Sequence, residues 1–274
     1  MLTDIQAAIL GTAQGLTEFL PVSSSAHLVV IPWALGWPKH DNMMAFDVAL
    51  HIGTLIAIII FFAFDWLMIC ASYIGDLRQK NWKGGKTGSL LPKIVLATIP
   101  AAIMGKLFEE PIEEFFYKNH DNIWMLAITM SLFGMALLVA ERYGKQKRDV
   151  KEITYQDALL IGCFQAMALI PGTSRSGITI LGGLLLGLTR PAAARFSFLA
   201  ALPVTFGAVV LKSRDLRGTE DWSPLIVGIS VSAVVGMIAI KGLLYYVQNR
   251  SYDIFAWYRF LFAIGLISLY FTRG

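Results

Sequence analysis

Residues 14–30 read QGLTEFLPVSSSAHLVV, which puts a carboxylate, three serines and a histidine inside a run that is apolar on both sides. Pro21 has no backbone N–H to donate and the serines favour a helix start, so one helix ends here and another begins. Composition shows where this break must sit. Of 274 residues 56% are hydrophobic and 15% charged, and mean hydropathy is +0.61, too apolar for a domain whose surface faces water. About 20 mostly apolar residues cross a bilayer as a helix. Stretches near 45–72, 90–107, 122–142, 191–211, 223–246 and 255–272 reach that length. The expected fold class is an all-α polytopic integral membrane protein, one membrane domain over residues 1–274 with about six transmembrane helices.

Loop charges orient the spans. Between the first two, Arg78, Lys80, Lys83, Lys86 and Lys93 face only Asp76, whereas the next loop carries Glu109, Glu110, Glu113, Glu114 and Asp121 against Lys106 and Lys118. Cytoplasmic loops hold the excess of Lys and Arg. The first loop, and the loop with Arg142, Lys145, Lys147, Arg148 and Lys151, are therefore expected inside and the N-terminus outside. Lys212, Arg214 and Arg217 fall in a loop that this scheme puts outside, where Asp215, Glu220 and Asp221 offset them. The start, MLTDIQAAILG, has no basic segment and carries Asp4, which argues against a cleaved signal peptide. Cys70 and Cys163 lie in apolar runs without CxxC spacing and read as small core residues.

Two apolar stretches do not behave as spans: 5–37, broken at Pro21, and 155–188, broken by Pro171, Gly172 and a second polar cluster. Each half has about 12 to 16 residues, too short to cross alone. A re-entrant helix hairpin, entering the membrane and returning to the same side, fits both. ILGTAQGLTEFLPVSSSAH aligns with LIGCFQAMALIPGTSRSG, pairing Gly11 with Gly162, Gln14 with Gln165, Pro21 with Pro171 and Ser24 with Ser174 once a gap is allowed. At the same offset MAFDVAL at 44–50 meets ARFSFLA at 194–200. The chain thus reads as a duplicated unit, a hairpin followed by three spans, with halves of approximately 1–145 and 150–274. An odd number of spans per half makes the two hairpins enter from opposite sides, an inverted-topology repeat whose site lies near the bilayer midplane.

Irregular backbone and ionisable side chains are tolerated at that depth only around a protein-lined cavity, so the two tips are the candidate site. Gln14 and Glu18 are four apart and share a helix face. Glu18 can ligate a divalent cation or move a proton, and Gln14 can ligate or accept a hydrogen bond. Ser23, Ser24 and Ser25 precede the second half-helix, whose positive N-terminal end suits an anion; one of them is expected to be catalytic. His27, in the first turn, can serve as nucleophile or as general acid/base. The second tip, PGTSRSGIT at 171–179, reads as a phosphate cradle. Gly172 and Gly177 allow close backbone approach, Ser174, Ser176 and Thr179 bring hydroxyls, and Arg175 brings a fork matched to phosphate oxygens. A competing reading pairs Arg175 with Glu18 solely to hold the hairpins together, which leaves the potential of two helix ends uncompensated. Asp47 and His51 read as path-lining residues or interface anchors, Arg195 and Lys241 as snorkelling cations, and Tyr245, Tyr246, Trp257 and Tyr258 as an interfacial belt.

QGLTE, PVSSSAH and PGTSRSGIT together resemble the undecaprenyl-pyrophosphate phosphatase family of the bacitracin-resistance type, marked by (E/Q)xxxE running into PVSS and a histidine, and by PGxSRSxxT. Length, hydropathy and duplicated architecture match throughout, and the PSGH and SRxxxxxH segments of the acid-phosphatase type of lipid phosphatase are absent. The resemblance implies removal of the terminal phosphate of undecaprenyl pyrophosphate, giving the carrier lipid of peptidoglycan synthesis and resistance to bacitracin. It also implies a bacterial inner-membrane location with the cavity open to the outer side, and a divalent cation, Mg²⁺ or Ca²⁺. Carried onto this sequence, Glu18 is the essential carboxylate and shares the cation with Gln14. His27 and Ser24 are the candidates for nucleophile or proton transfer, and Arg175 with Ser174 and Ser176 is the pyrophosphate clamp; Ser23, Thr179, Gly172 and Gly177 complete the substrate site. Many members have Glu where this chain has Gln14. The expected partners are a polyprenyl pyrophosphate and membrane lipids, with no nucleic acid. The rival class is a secondary transporter or flippase of an anionic lipid or solute. A carrier needs neither a nucleophile nor a proton donor, which favours the enzyme.

Overall fold

Inside a bilayer every backbone polar group must find its partner within the protein, so apolar stretches of this length form helices. The computed structural model describes residues 2–37, 43–81, 85, 87–117, 123–216 and 221–273. Lys83, Lys86, Lys118, Asp121, Arg217 and Glu220, used in the charge argument, lie outside the described residues. Among the described residues there are eleven α-helices and no strand: α1 (Asp4–Phe19), α2 (Ser24–Ala34), α3 (Met43–Phe61), α4 (Ala63–Arg78), α5 (Leu90–Tyr117), α6 (Trp124–Tyr143), α7 (Tyr155–Ala166), α8 (Arg175–Leu185), α9 (Arg190–Lys212), α10 (Ser223–Tyr246) and α11 (Asp253–Arg273).

Five of them are long and apolar enough to cross a membrane: α5 over Leu90–Phe108, α6, α9, α10 and α11 over Asp253–Thr272. The stretch expected as a single span at 45–72 is instead bent by 64° between α3 and α4, and the pair makes a sixth span if counted as one. The bend falls at Phe62, whose backbone leaves helical geometry (φ −100°, ψ 13°). Its fully buried ring packs against Phe198, 6.1 Å between centroids.

Both broken stretches form the expected pairs of short helices, α1 with α2 and α7 with α8. Thr3 caps α1 and Thr154 caps α7, each in a reciprocal box with the residue three positions on, Gln6 and Asp157. Ser23 and Ser174 then open α2 and α8 in the left-handed region, with φ of 73° and 74°. The interval from cap to elbow is the same in both hairpins, so they align without a gap. Ser174 corresponds to Ser23 rather than to Ser24, because the equivalent point is where the backbone turns and not where a proline falls.

Helix packing is cross-wise: α10 lies against α1 and α3, while α5 lies against α7 and α9. Small residues allow the closest of these approaches. A Cβ on Gly15 would come within 2.8 Å of Val235 Cβ, 2.9 Å of Gly236 N and 2.9 Å of Ser232 O on α10. Backbone atoms cannot retreat as a flexible side chain can. Gly15→Ala is therefore expected to destabilise the protein by about 1–3 kcal/mol through overpacking, read as a lower melting temperature in detergent. Gly242→Ala, where nothing lies within 4 Å, should leave the melting temperature unchanged or raised.

The helix ends are tied by polar contacts. Ser223 at the start of α10 donates to Asp4 at the start of α1 at 3.0 Å. Elsewhere Glu141, near the end of α6, is ion-paired to Arg190 at the start of α9 and accepts the backbone N–H of Tyr252, just before α11, at 3.3 Å. Arg148 joins Asp157 in the first turn of α7 at 2.5 Å and Leu186 O after α8 at 2.9 Å. Arg195, expected to snorkel, pairs with Asp65 of α4. Cys163 is exposed on α7 and Cys70 half-buried, so neither is the core residue expected of it.

Candidate active site

The two polar elbows meet. Ser176 Oγ donates to Leu20 O at 3.1 Å, and Gly172 N–H donates to Ser25 Oγ at 3.4 Å, each bond running from one hairpin to the other. Across the same junction Arg175 Nη2 donates to Glu18 Oε1 at 2.6 Å. The other oxygen of Glu18 accepts from Ser24 Oγ at 2.7 Å and from Gln14 Nε2 at 3.2 Å. Gln14, Glu18, Ser24 and Arg175 are therefore one cluster. The helical spacing of Gln14 and Glu18 was legible in sequence; their meeting with Arg175 depends on how the hairpins pack.

Two polar atoms of this cluster are buried without a protein partner: Arg175 Nη1, a donor, and Gln14 Oε1, an acceptor. The start of α2 adds a third unmet feature, because Ser23 caps no backbone N–H there. Ser24 turns to Glu18 instead. An uncapped helix N-terminus and a half-engaged guanidinium together suit an anion with several oxygens. The α8 start differs, since Ser174 Oγ accepts from Gly177 N at 3.2 Å and is 3.2 Å from Ser176 Oγ. Ser23 and Ser25 repeat that last contact at 3.2 Å.

No group of three or more His, Cys, Asp or Glu with metal-binding geometry occurs among the described residues. What the cluster supplies is one carboxylate, the carboxamide oxygen of Gln14 and the hydroxyl of Ser24. Hard oxygen donors of this kind, with Gln14 Oε1 lacking a hydrogen bond, fit Mg²⁺ or Ca²⁺ provided that phosphate oxygens and water complete the coordination.

Several expected site residues are used differently. His27 is buried, but its Nδ1 lies 2.7 Å from Ser23 O and its Nε2 2.6 Å from Tyr258 Oη, so it faces α11. Thr179, expected among the anion-binding hydroxyls, donates to Arg175 O at 2.8 Å and shares a 2.6 Å contact with Ser197 on α9. The two glycines admit protein rather than ligand. Gly172 (φ +88°) has room for no Cβ beside Thr129 Oγ1, and a Cβ on Gly177 would meet Arg259 Nη1 at 3.3 Å. His51 directs Nδ1 to Asp47 O on its own helix at 2.8 Å.

Sequence reasoning missed Arg259. Only 22% of the α11 span is buried, yet Arg259 is 1% exposed. Its guanidinium donates to Pro21 O at 3.2 Å in the first elbow, and to Gly172 O at 2.7 Å and Thr173 O at 3.0 Å in the second, while Nε reaches Met130 O on α6 at 3.0 Å. Among the described residues it pairs with no carboxylate. The signal was there: an arginine in the middle of an apolar span is functional by default. Tyr258, read as part of an interfacial belt, is also a site residue through His27.

A multi-helix membrane protein whose two elbows enclose a carboxylate, a serine and an incompletely bonded arginine carries a buried polar cluster of a kind that suits an anion. Residues 7–265 match the family described as bacitracin resistance protein BacA, and the chain belongs to that family. Among its relatives are the undecaprenyl-diphosphatase of Trichlorobacter lovleyi, 48% identical over 269 residues covering 97% of this chain and 96% of that protein. The undecaprenyl-diphosphatase of Geobacter sulfurreducens is 44% identical over 273 residues, covering 98% and 99%. That of Moorella thermoacetica is 42% identical over 272 residues, covering 99% and 100%.

Proposed function

We propose that this chain hydrolyses undecaprenyl pyrophosphate to undecaprenyl phosphate and inorganic phosphate in the bacterial inner membrane, and that bacitracin resistance follows from this recycling of the carrier lipid. Its family and its relatives' activity support the reading. The observation that carries it is the buried, unpartnered Arg175 Nη1 beside Glu18 and the uncapped start of α2. A purely structural pair would have no need to leave that donor unmet.

In this reading the polyprenyl tail stays in lipid while the diphosphate enters between the elbows. Arg175 Nη1 and the α2 N–H groups hold terminal phosphoryl oxygens, where charge develops in the transition state. Ser24 Oγ, already donating to Glu18, attacks the terminal phosphorus as its proton passes to the carboxylate, and the bond to the bridging oxygen breaks with undecaprenyl phosphate leaving. Water then cleaves the phosphoserine. Glu18, Gln14 and Ser24 would hold the divalent cation, which supplies Lewis-acid stabilisation of the phosphoryl oxygens when bound.

The hairpins, in the same proposal, form an inverted repeat of the halves 1–145 and 150–274. The matched capping boxes and elbows support it. So does the polar tie between the α1 and α10 starts, apart from the one joining α6, α9 and α11. The loop charges support an orientation with the α1 side outside.

The test is phosphate release by the purified full-length protein in detergent. Undecaprenyl pyrophosphate should yield inorganic phosphate, EDTA should stop it, and added Mg²⁺ or Ca²⁺ should restore it. With no membrane barrier present a carrier has nothing to do, so absence of release would favour the transporter reading.

A further inference from the structure

His27 is the one strongly reactive side chain in the elbows whose ring nitrogens are both engaged. Nδ1 lies 2.7 Å from the backbone oxygen of Ser23. A carbonyl oxygen only accepts, so Nδ1 carries a hydrogen. In the neutral ring Nε2 is then the lone pair, and the hydroxyl of Tyr258 at 2.6 Å donates to it. The ring planes of His27 and Tyr258 are within 10° of parallel at 5.7 Å, and Phe262, one turn further along α11, packs against the imidazole at 4.4 Å. The imidazole is thus oriented by one helix through a hydroxyl and two aromatic rings.

We infer that Tyr258 is the positioning residue of His27, holding it ready to take up and return a proton at Nε2 rather than to accept the phosphoryl group. A hydroxyl can donate and accept, unlike a carbonyl or an ammonium. When the ring is neutral, Tyr258 O–H donates to the Nε2 lone pair. When the water that cleaves the phosphoserine gives up a proton, the hydroxyl relays it: the Tyr258 O–H bond breaks as an N–H bond forms at Nε2, and the phenol oxygen takes the water's proton in its place, after which Nε2 donates and that oxygen accepts. Tyr258 ends each transfer with one proton, and the reverse transfer returns the proton from Nε2 to the departing inorganic phosphate. The same contact serves both protonation states, and it covers the lone pair that an in-line attack on phosphorus would use. Arg259, the neighbouring residue of α11, adds a fixed positive charge next to the elbows and engages no carboxylate among the described residues.

The inference rests on the phosphatase reading, and its test separates the two. Tyr258 is 41% exposed, so Tyr258→Phe removes the hydroxyl from a site that is not core. The variant should release phosphate with kcat lowered about tenfold or more, up to the roughly 10²- to 10⁴-fold of a lost proton transfer, and with KM within about twofold of wild type. In a His27→Ala background the same change should have no further effect, since the two act as a unit. Apart from activity, ¹⁵N spectra of the histidines should show His27 as the Nδ1–H tautomer in the wild type and an altered Nε2 signal in Tyr258→Phe. An unchanged kcat with an unchanged spectrum overturns the role of Tyr258, as does acid-labile phosphohistidine trapped at residue 27. A wild type without phosphate release overturns the phosphatase reading itself, and then the ¹⁵N comparison alone decides the contact.

Discussion

Arg175→Ala is expected to lower kcat/KM for phosphate release by about a thousandfold, the upper range for loss of one preorganised charge-stabilising donor. It is also expected to cost stability. Arg175 lies across the hairpin junction from Glu18 at 2.6 Å, and both are largely buried. Removing one partner leaves the other charge uncompensated, at about 3–5 kcal/mol. Loss of activity alone would thus not separate a phosphate clamp from a staple between hairpins. The double variant Glu18→Gln with Arg175→Met does, because replacing a buried pair by neutral groups of similar size is often neutral for stability. It should melt near the wild type and release no phosphate. Recovery of both melting temperature and activity would falsify the clamp.

The second large effect is expected from Arg259. Arg259→Met removes the donors to Pro21, Gly172, Thr173 and Met130 and leaves those carbonyls buried. Each unmet acceptor costs about 1–3 kcal/mol, a sum comparable with the whole stability of a typical domain, about 5–15 kcal/mol. The protein should fail to give a monodisperse peak in detergent chromatography. Arg259→Lys keeps a charge but lacks the planar fork that reaches both elbows at once. It should remain folded with a lowered melting temperature, and kcat/KM should fall about 10- to 100-fold as the elbows loosen, in line with the effect of misplaced catalytic groups. A lysine variant with wild-type melting and turnover would show that the four carbonyls find other partners.

Glu18 and Gln14 were legible as a pair because four residues make one helical turn, and Ser24 was legible as a helix-start residue. That Ser24 reaches back to Glu18 instead of capping α2 was not. A serine has both options, and only the turn at Ser23, with φ of 73°, selects between them. The spans at α5, α6, α9, α10 and α11 followed from length and hydropathy, which a bilayer enforces whatever the partners are. The bend at Phe62 did not, since it arises where a buried ring packs against Phe198 of another helix.

By itself the sequence determined that the chain is a bundle of membrane helices with two broken segments, and it marked the polar residues at the breaks as the candidates for chemistry. Hydropathy, proline and the desolvation of charge act locally, and each can be read one turn at a time. Only the tertiary structure decided which of those residues work together. Arg175 meets Glu18, and His27 turns to Tyr258, because α8 and α11 come from parts of the chain far from the first elbow. Arg259 draws both elbows onto one guanidinium through backbone carbonyls, and every residue has a carbonyl, so no side-chain pattern marks where such a contact will fall.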